Sequence, residues 1–494
     1  MDKKILLNYL YNILFQMVRV VLPLVTVPYL YSHVGAETLG ISDFASNIAQ
    51  WFVLFGILGV NIYGNREIAK VRDDRDKIST TFFEIFFMQL TNMFIAFILY
   101  FLYVYLTVKE NTGIFYLTGV VMIASMLDVT WLFYGVEDFK KASIRNIVVK
   151  VLGVSLILLT VKTPDDLWLY VVINCLSELI GQLIMFAQLK QYVSFKRISI
   201  KSAYKNHFFP TLSLFVPTIA ISIYTILDQT MLGYLHSPLH LNYYKTSMSF
   251  IKMFLYFITS IGSVVLPRVA NVFHNDNNGS GKVEKLINET MQIALFLAIP
   301  MTFGMAGIAK IFISWYLPSA PIIADLIILG CPIVILISIS NVTGTQYMVP
   351  TGMTKEYSTS VISGALINMV INLILIPKYG AYGAIVGSLV AEASVTIVQM
   401  LFIKKRLSIN FFNASQLKYL ISAFLMLLVV TLLGNLLLDV LIISERKIGL
   451  LINMIQIISG VFTYFACLII LKDQLIMKII QKLKRHSNVS IDHQ

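Results

Sequence analysis

Residues 80–107 read TTFFEIFFMQLTNMFIAFILYFLYVYLT, with Glu84 the one charged side chain. At 1.5 Å per residue a helix of this length spans roughly 42 Å, more than the ~30 Å hydrocarbon core of a bilayer. A surface helix of a soluble domain would alternate apolar and polar faces instead. The stretch reads as a transmembrane helix, and the pattern recurs along the chain. Of 494 residues, 57% are hydrophobic and 13% charged, and mean hydropathy is +0.78. Soluble chains carry ~25% charged residues. The composition describes a polytopic membrane protein and excludes most soluble enzyme classes.

Fourteen apolar runs are expected to cross the membrane, from Tyr9–Tyr31 to Leu450–Leu471. The first follows Met1 to Lys4, has no small-residue cleavage site, and reads as a retained span. The fourth is placed at Ile114–Tyr134, the fifth at Ile147–Val161, the ninth at Thr290–Ile308 and the tenth at Ile322–Gln346. Pro318 and Pro321 suggest a re-entrant stretch or loop after Gly304. Placing the N-terminus inside puts 27 of the 38 Lys and Arg in inner segments, against six in outer loops. By the positive-inside rule both termini are then cytoplasmic. Segment 190–208 carries five of the cations and divides the chain. The expected fold is all-α: a six-helix bundle over 1–189, a cytoplasmic linker at 190–208, a second six-helix bundle over 209–403, and two extra helices with a basic tail over 404–494. Paired features support a duplication: Pro23 with Pro217, Arg66-Glu67-Ile68-Ala69 with Arg268-Val269-Ala270, and Glu178 with Glu392. In duplicated transporters the site lies between the repeats.

Charges inside spans cost about 2.5–3.5 kcal/mol each on insertion scales and mark functional candidates. Arg19 lies mid-way through the first span, four residues before Pro23. Lys245 and Lys252 are seven residues apart and share one helical face of the eighth span. These three cations form the expected substrate-binding set, suited to an anionic headgroup because Arg holds phosphate oxygens in a bidentate fork. Lys150, at the head of the fifth span, reads as an interfacial lysine. Among the acids, Glu178 and Glu392 lie deepest and are the expected ion-coupling residues; Glu84, Asp128 and Asp228 are weaker candidates.

Enzymatic patterns fail on inspection. Asp74-Arg75-Asp76 resembles a metal-nucleotide motif but sits in a short charged loop, and Gly279-Ser280-Gly281-Lys282 lacks the following Ser or Thr of a phosphate loop and reads as a flexible connection. Cys175, Cys331 and Cys467 are isolated, which argues against a disulfide framework or metal site. His33, His236 and His240 fall in outer loops and read as solvated or interfacial. No catalytic residue, metal or bound cofactor is expected. The net charge of +12 is read as topology rather than nucleic-acid binding.

Four stretches resemble the Wzx-type polysaccharide flippases of the superfamily that includes the multidrug and toxin extruders. They are Pro23 through Pro28-Tyr29-Leu30 to Gly35 and Gly40; Tyr63-Gly64-Asn65-Arg66-Glu67-Ile68-Ala69; Trp131-Leu132-Phe133-Tyr134-Gly135-Val136-Glu137-Asp138-Phe139; and Asp228-Gln229-Thr230-Met231-Leu232-Gly233. The chain departs from the family at Tyr31-Ser32-His33, where members commonly carry an Arg. The resemblance implies two six-helix bundles in a V with two added helices. It implies a flippase moving undecaprenyl-diphosphate-linked oligosaccharide to the outer leaflet by alternating access, driven by an H+ or Na+ gradient. Capsule or exopolysaccharide synthesis in a bacterial cytoplasmic membrane is the expected setting, with membrane lipids, a polysaccharide polymerase and chain-length machinery as partners. The runner-up is a multidrug extruder, against which the cations in spans argue. A membrane polysaccharide polymerase ranks lower, because no outer loop is long.

Overall fold

A computed structural model describes residues 21–255, 279–404, 413–440 and 446–478 with a few adjoining positions, leaving out several side chains between 214 and 224. Arg19, the side chain of Pro217, Arg268 and the tail cations Lys482, Lys484 and Arg485 lie outside the described residues. The chain divides into two compact units, Met1–Asn242 and Tyr243–Gln494. Both are helical, with no strand among the described residues.

The first unit holds α1 (21–33), α2 (Ala36–Ile57), α3 (Val60–Val71), α4 (Arg75–Thr107), α5 (Thr112–Thr118), α6 (Val120–Met126), α7 (Thr130–Gly135), α8 (Phe139–Thr160), α9 (Leu167–Ala187) and α10 (Ile200–Leu235). Helix α11 (Pro238–Met253) begins there and runs on into the second unit. The second unit continues with α12 (Gly279–Tyr316), α13 (Ile322–Gly330), α14 (Ile333–Ser340), a π-helical stretch Asn341–Met348, α15 (Thr354–Tyr379), α16 (Ala381–Ile403), α17 (Ala414–Val440) and α18 (Arg446–Ile470). Eleven of the fourteen expected spans stand as helices long and apolar enough to cross a bilayer. The first, seventh and eighth include positions outside the description.

Three local expectations change. Helix α12 runs unbroken from Gly279 through Pro300 to Tyr316, so Gly304 is helical, and Pro318 and Pro321 belong to the turn after it. Gly279-Ser280-Gly281-Lys282 forms the first turn of that helix rather than a flexible loop. The fifth span starts at Phe139, not Ile147, because the Asp138 side chain accepts the Lys141 backbone N–H at 3.4 Å and caps the helix eight residues earlier.

The segment after α9 is tied to the first unit. The Ser194 N–H donates to Ser79 Oγ at 2.9 Å, Arg75 donates to the Lys190 carbonyl at 3.1 Å, and Lys196 pairs with Asp76 at 3.0 Å. Asp74, half of the metal-like motif, caps α4 by accepting the Asp76 and Lys77 N–H groups. Burial alone would raise the Asp138 carboxyl, but the hydrogen bond from Tyr192 and the ammonium of Lys141 hold it below the usual carboxylate range.

The core of the first unit is aromatic. Tyr63, Phe82, Phe86, Trp131 and Phe133 form a buried cluster with Val60, Ile68 and Met185. Trp131 lies over α3 at Gly64, where an added Cβ would fall 2.5 Å from its ring. Helix α10 meets α2 the same way, with Gly233 against the Phe44 ring. There Trp51 donates to Thr230 Oγ1 at 2.7 Å, and Asn47 donates to the Ile226 carbonyl at 3.1 Å. In the second unit α15 and α16 form a hairpin, and α17 and α18 pack on α12. Trp315 of α12 donates to Asn453 of α18 at 2.6 Å, and Gln456 donates to the Val430 carbonyl of α17 at 2.9 Å.

Gly64→Ala is expected to destabilise the first unit by about 1–3 kcal/mol through overpacking against Trp131. Gly113→Ala, with open space around its Cβ, is expected to be neutral. Thermal unfolding of the purified protein in detergent checks both; equal melting temperatures would refute the packing account.

Candidate functional site

The fourth span is not one helix. It breaks after α6, and Leu127, Asp128 and Val129 leave the helical path before α7. A break inside a bilayer frees carbonyls that no water can satisfy. Here the buried side chain of Gln89 on α4 satisfies them. Its amide nitrogen donates to the Ser125, Met126 and Asp128 carbonyls at 3.1, 3.4 and 2.9 Å. Its oxygen accepts the indole N–H of Trp131 at 3.1 Å. The Asp128 carboxylate accepts the Thr130 N–H at 3.0 Å and the Thr130 hydroxyl, starting α7.

The break places Asp128 beside charges from two other helices. Arg145 and Lys150 come from α8 and Glu178 from α9. Arg145 lies within electrostatic reach of Asp128, Tyr134 and Glu178, and Glu178 within reach of Lys150, Asp128 and Arg145. No ion pair joins the four among the described residues. The buried Nε of Arg145 has no hydrogen-bond partner there, and Glu178 and Lys150 are exposed on the surface of the first unit. This is a balanced set of two cations and two anions, none joined to another of the four, in segments that cross the membrane. Such a set can meet an anionic headgroup or exchange protons. At the other end of α8, the Tyr29 hydroxyl of α1 shares its hydrogen between the Leu158 carbonyl and that of Val161, the residue capping α8, at 3.0 and 2.7 Å, so α1 is tied to the same helix.

A second polar cluster lies in the second unit, along the α15–α16 hairpin. Ser360, Asn368 and Asn372 on α15 and Ser388, Glu392, Thr396 and Gln399 on α16 are all buried. Thr343, in the π-helical stretch, donates to Gln399 Oε1 at 2.6 Å, and Gln399 donates to Ser360 Oγ at 3.2 Å. π-Helical turns occur often at functional positions. The Tyr244 and Ser388 hydroxyls lie 2.9 Å apart and join α11 to α16, next in sequence to Lys245 and four residues before Glu392.

The expected site residues are therefore distributed. Arg19 is outside the description. Lys245 is half-buried and engaged with neighbours, and Lys252 is half-buried on the last turn of α11. Glu392 is buried within the second cluster, and Glu178 stands in the first. Arg145 was missed because a span starting at Ile147 leaves it in a cytoplasmic loop; the Asp138 cap, legible as Asp-Phe-Lys-Lys, was the signal that moves it into the helix. The weak acid Asp128 proves central to the first cluster. The three histidines expected in loops are not all there: His33 ends α1 and stacks on Tyr29 with ring centroids 4.1 Å apart, and His240, in the first turn of α11, lies 4.0 Å from His236.

A family profile described as polysaccharide biosynthesis protein matches residues 5–273. The chain belongs to this family. It is 23% identical over 402 residues to a putative O-antigen transporter of Escherichia coli K12, covering 80% of this chain and 96% of that protein. Among solved structures it is similar to a lipid II flippase, MurJ, in an inward closed conformation, with TM-score 0.72 and 15% identity, covering 95% of this chain and all of that one. An inward-facing multidrug transporter of the MATE family is similar at TM-score 0.56 and 14% identity, covering 81% of this chain and 94% of that one. At these identities the solved structures establish the fold alone: an all-helical, multi-pass membrane protein. The matched residues 5–273 take in Gln89, Asp128, Arg145 and Glu178.

Gln89→Leu keeps the volume and strands the Trp131 N–H with the Met126 and Asp128 carbonyls, while the Ser125 carbonyl keeps the Asp128 N–H at 3.3 Å. Each stranded group costs about 1–3 kcal/mol, so a lowered melting temperature and reduced membrane yield are expected. Gln89→Glu, which keeps the acceptor for Trp131 alone, is expected to fall between. Unchanged unfolding of the Leu variant would show that the break does not depend on this side chain.

Proposed function

We propose that the chain is a flippase that moves a lipid-linked oligosaccharide, carried on undecaprenyl diphosphate, from the inner to the outer leaflet of a bacterial cytoplasmic membrane. The observation that carries this is the family match over 5–273 together with the O-antigen transporter aligned over nearly its whole length. The relatives' names describe transport, so the protein is a carrier rather than an enzyme. Capsule or exopolysaccharide export, both termini in the cytoplasm, and a polymerase and chain-length machinery downstream belong to the same proposal. So does the division into two repeated bundles about 190–208.

The substrate is a large anion at its diphosphate, and cations within spans suit it. Arg19, Lys252 and Lys245 are proposed to hold the diphosphate or an acidic sugar, with Arg145 as a further cation from α8. Glu178, on the surface of the first unit beside Arg145 and Asp128, and Glu392, buried in the second, are proposed to carry the coupling ion, H+ or Na+, during alternating access. The drug-exporter reading is supported by the shared fold alone, and the cations that fall within spans, Arg19, Lys245 and Lys252, suit cationic drugs poorly.

Deleting the gene is expected to leave the lipid-linked oligosaccharide unpolymerised and facing the cytoplasm, and the intact gene to restore export. Arg19→Ala and Lys252→Ala are expected to cut export about tenfold or more with normal insertion. Units that reach the outer leaflet but stay unjoined would instead mean a polymerase. An unchanged lipid-linked pool with a gain in drug sensitivity would mean an exporter.

A further inference from the structure

Away from both clusters, three helices of the first unit meet in a buried hydrogen-bonded chain. The Tyr63 hydroxyl of α3 lies 2.8 Å from Nδ1 of His207 on α10, and His207 Nε2 lies 2.8 Å from Oε2 of Glu84 on α4. The other carboxylate oxygen accepts from Ser202 at 2.8 Å and Asn206 at 3.2 Å. Both ring nitrogens and both carboxylate oxygens are thus engaged. The His207 and Glu84 side chains are only 10% and 12% exposed, and the aromatic cluster of Tyr63, Phe82 and Phe86 lies alongside. Among the described residues, Arg66 and Glu67 on α3 act on Tyr63 and are themselves joined in an exposed cluster with Lys70.

We infer that Glu84, His207 and Tyr63 form a proton-binding site that couples flipping to the proton gradient. This rests on the flippase reading above and adds a coupling site distinct from Glu178 and Glu392.

The hydrogen-bond chain has two self-consistent states, one proton apart. With His207 neutral, Nε2–H donates to the Glu84 carboxylate and Nδ1 accepts the Tyr63 O–H. The pair then carries a net charge of −1. When a proton binds Nδ1, the ring donates to both neighbours, the pair becomes neutral overall, and Tyr63 must turn its own hydrogen to another acceptor. A net charge enclosed in a dry site is costly, whereas the neutral, paired state is tolerated. The proton-loaded state therefore belongs with a closed site and the proton-free state with one open to water. Imidazole is the side chain whose ordinary titration falls in the physiological range.

The site also has a mechanical connection. Tyr63 stands four residues after the break between α2 and α3, where Leu58 and Gly59 both take positive φ, +51° and +81°. A Cβ at Gly59 would lie 3.4 Å from the Phe215 backbone of α10, so this hinge packs on the helix that carries His207. His207 lies about 10 Å along α10 from its start at Ile200, the cytoplasmic end by the distribution of Lys and Arg. Rotation of one hydroxyl and protonation of one imidazole thus act where α3, α4 and α10 meet.

His207→Gln and Glu84→Gln test the site, with Tyr63→Phe retaining the His–Glu pair. Each is compared with the intact protein in the deletion strain, measuring inward-facing lipid-linked oligosaccharide with and without a protonophore. The intact protein is expected to slow when the gradient collapses. The two Gln variants are expected to flip about fivefold or more slowly and to be indifferent to the protonophore, at unchanged protein level and melting temperature. Retained protonophore sensitivity, or slow flipping explained by lost protein or a lowered melting temperature, overturns the proposal. Infrared difference spectra of the purified protein between roughly pH 5 and pH 8 give a readout independent of substrate. A titrating imidazole–carboxylate signal absent from both Gln variants is expected, and its persistence in them overturns the site. If the deletion strain accumulates no inward-facing lipid-linked oligosaccharide, the flippase reading fails, and the infrared titration alone then decides whether this site binds a proton.

Discussion

Hydrocarbon offers no hydrogen bonds, so each backbone group released inside the membrane must find a partner in the protein. The fourth span meets that constraint with a single side chain. Its helix stops before Asp128, and the freed carbonyls converge on one buried amide, Gln89. That amide also receives the Trp131 N–H, which fixes where the Trp131 ring lies, and the ring in turn requires a glycine at position 64. Around this arrangement the aromatic core of the first unit assembles. The same break carries Asp128 toward Arg145 and Glu178.

Three of the four stretches shared with the flippases prove to be packing elements. Tyr63-Gly64 receives Trp131 of the third stretch, and Asp228 through Gly233 docks on α2 through Thr230 and Gly233. Small residues recur at these contacts because helices in lipid gain little from hydrophobic burial and depend on close approach and hydrogen bonds. A family signature composed of such contacts identifies the architecture well and the cargo poorly. Tyr63 adds a second role, since its ring belongs to the core while its hydroxyl ends the His207–Glu84 chain.

The two units place their polar residues differently. In the first, charges from α8, α9 and the broken span approach without locking, and the fully bonded ionisable chain lies apart at Glu84 and His207. In the second, amides and hydroxyls form a nearly neutral stripe around one buried acid, Glu392. Glu178 stands beside Arg145, Lys150 and Asp128, while Glu392 is buried in a helix pair that also buries Asn368, Asn372, Ser388 and Gln399.

The amino-acid order by itself determined that the chain crosses a membrane many times as helices, because runs such as 80–107 have no other stable form in or out of lipid. It also determined which charges stand within those runs, and Glu178 and Glu392 were legible in this way. Tertiary structure decided what hydropathy cannot encode. A window average shows an apolar span at 114–134 and is blind to the break there, since the compensating group, Gln89, lies on another helix. It left Arg145 outside the membrane because a polar first turn, capped by Asp138, resembles a loop. It gave His207 and Glu84 no common meaning, because 123 residues of chain separate two side chains that only the packing of α4 against α10 brings into hydrogen-bond contact.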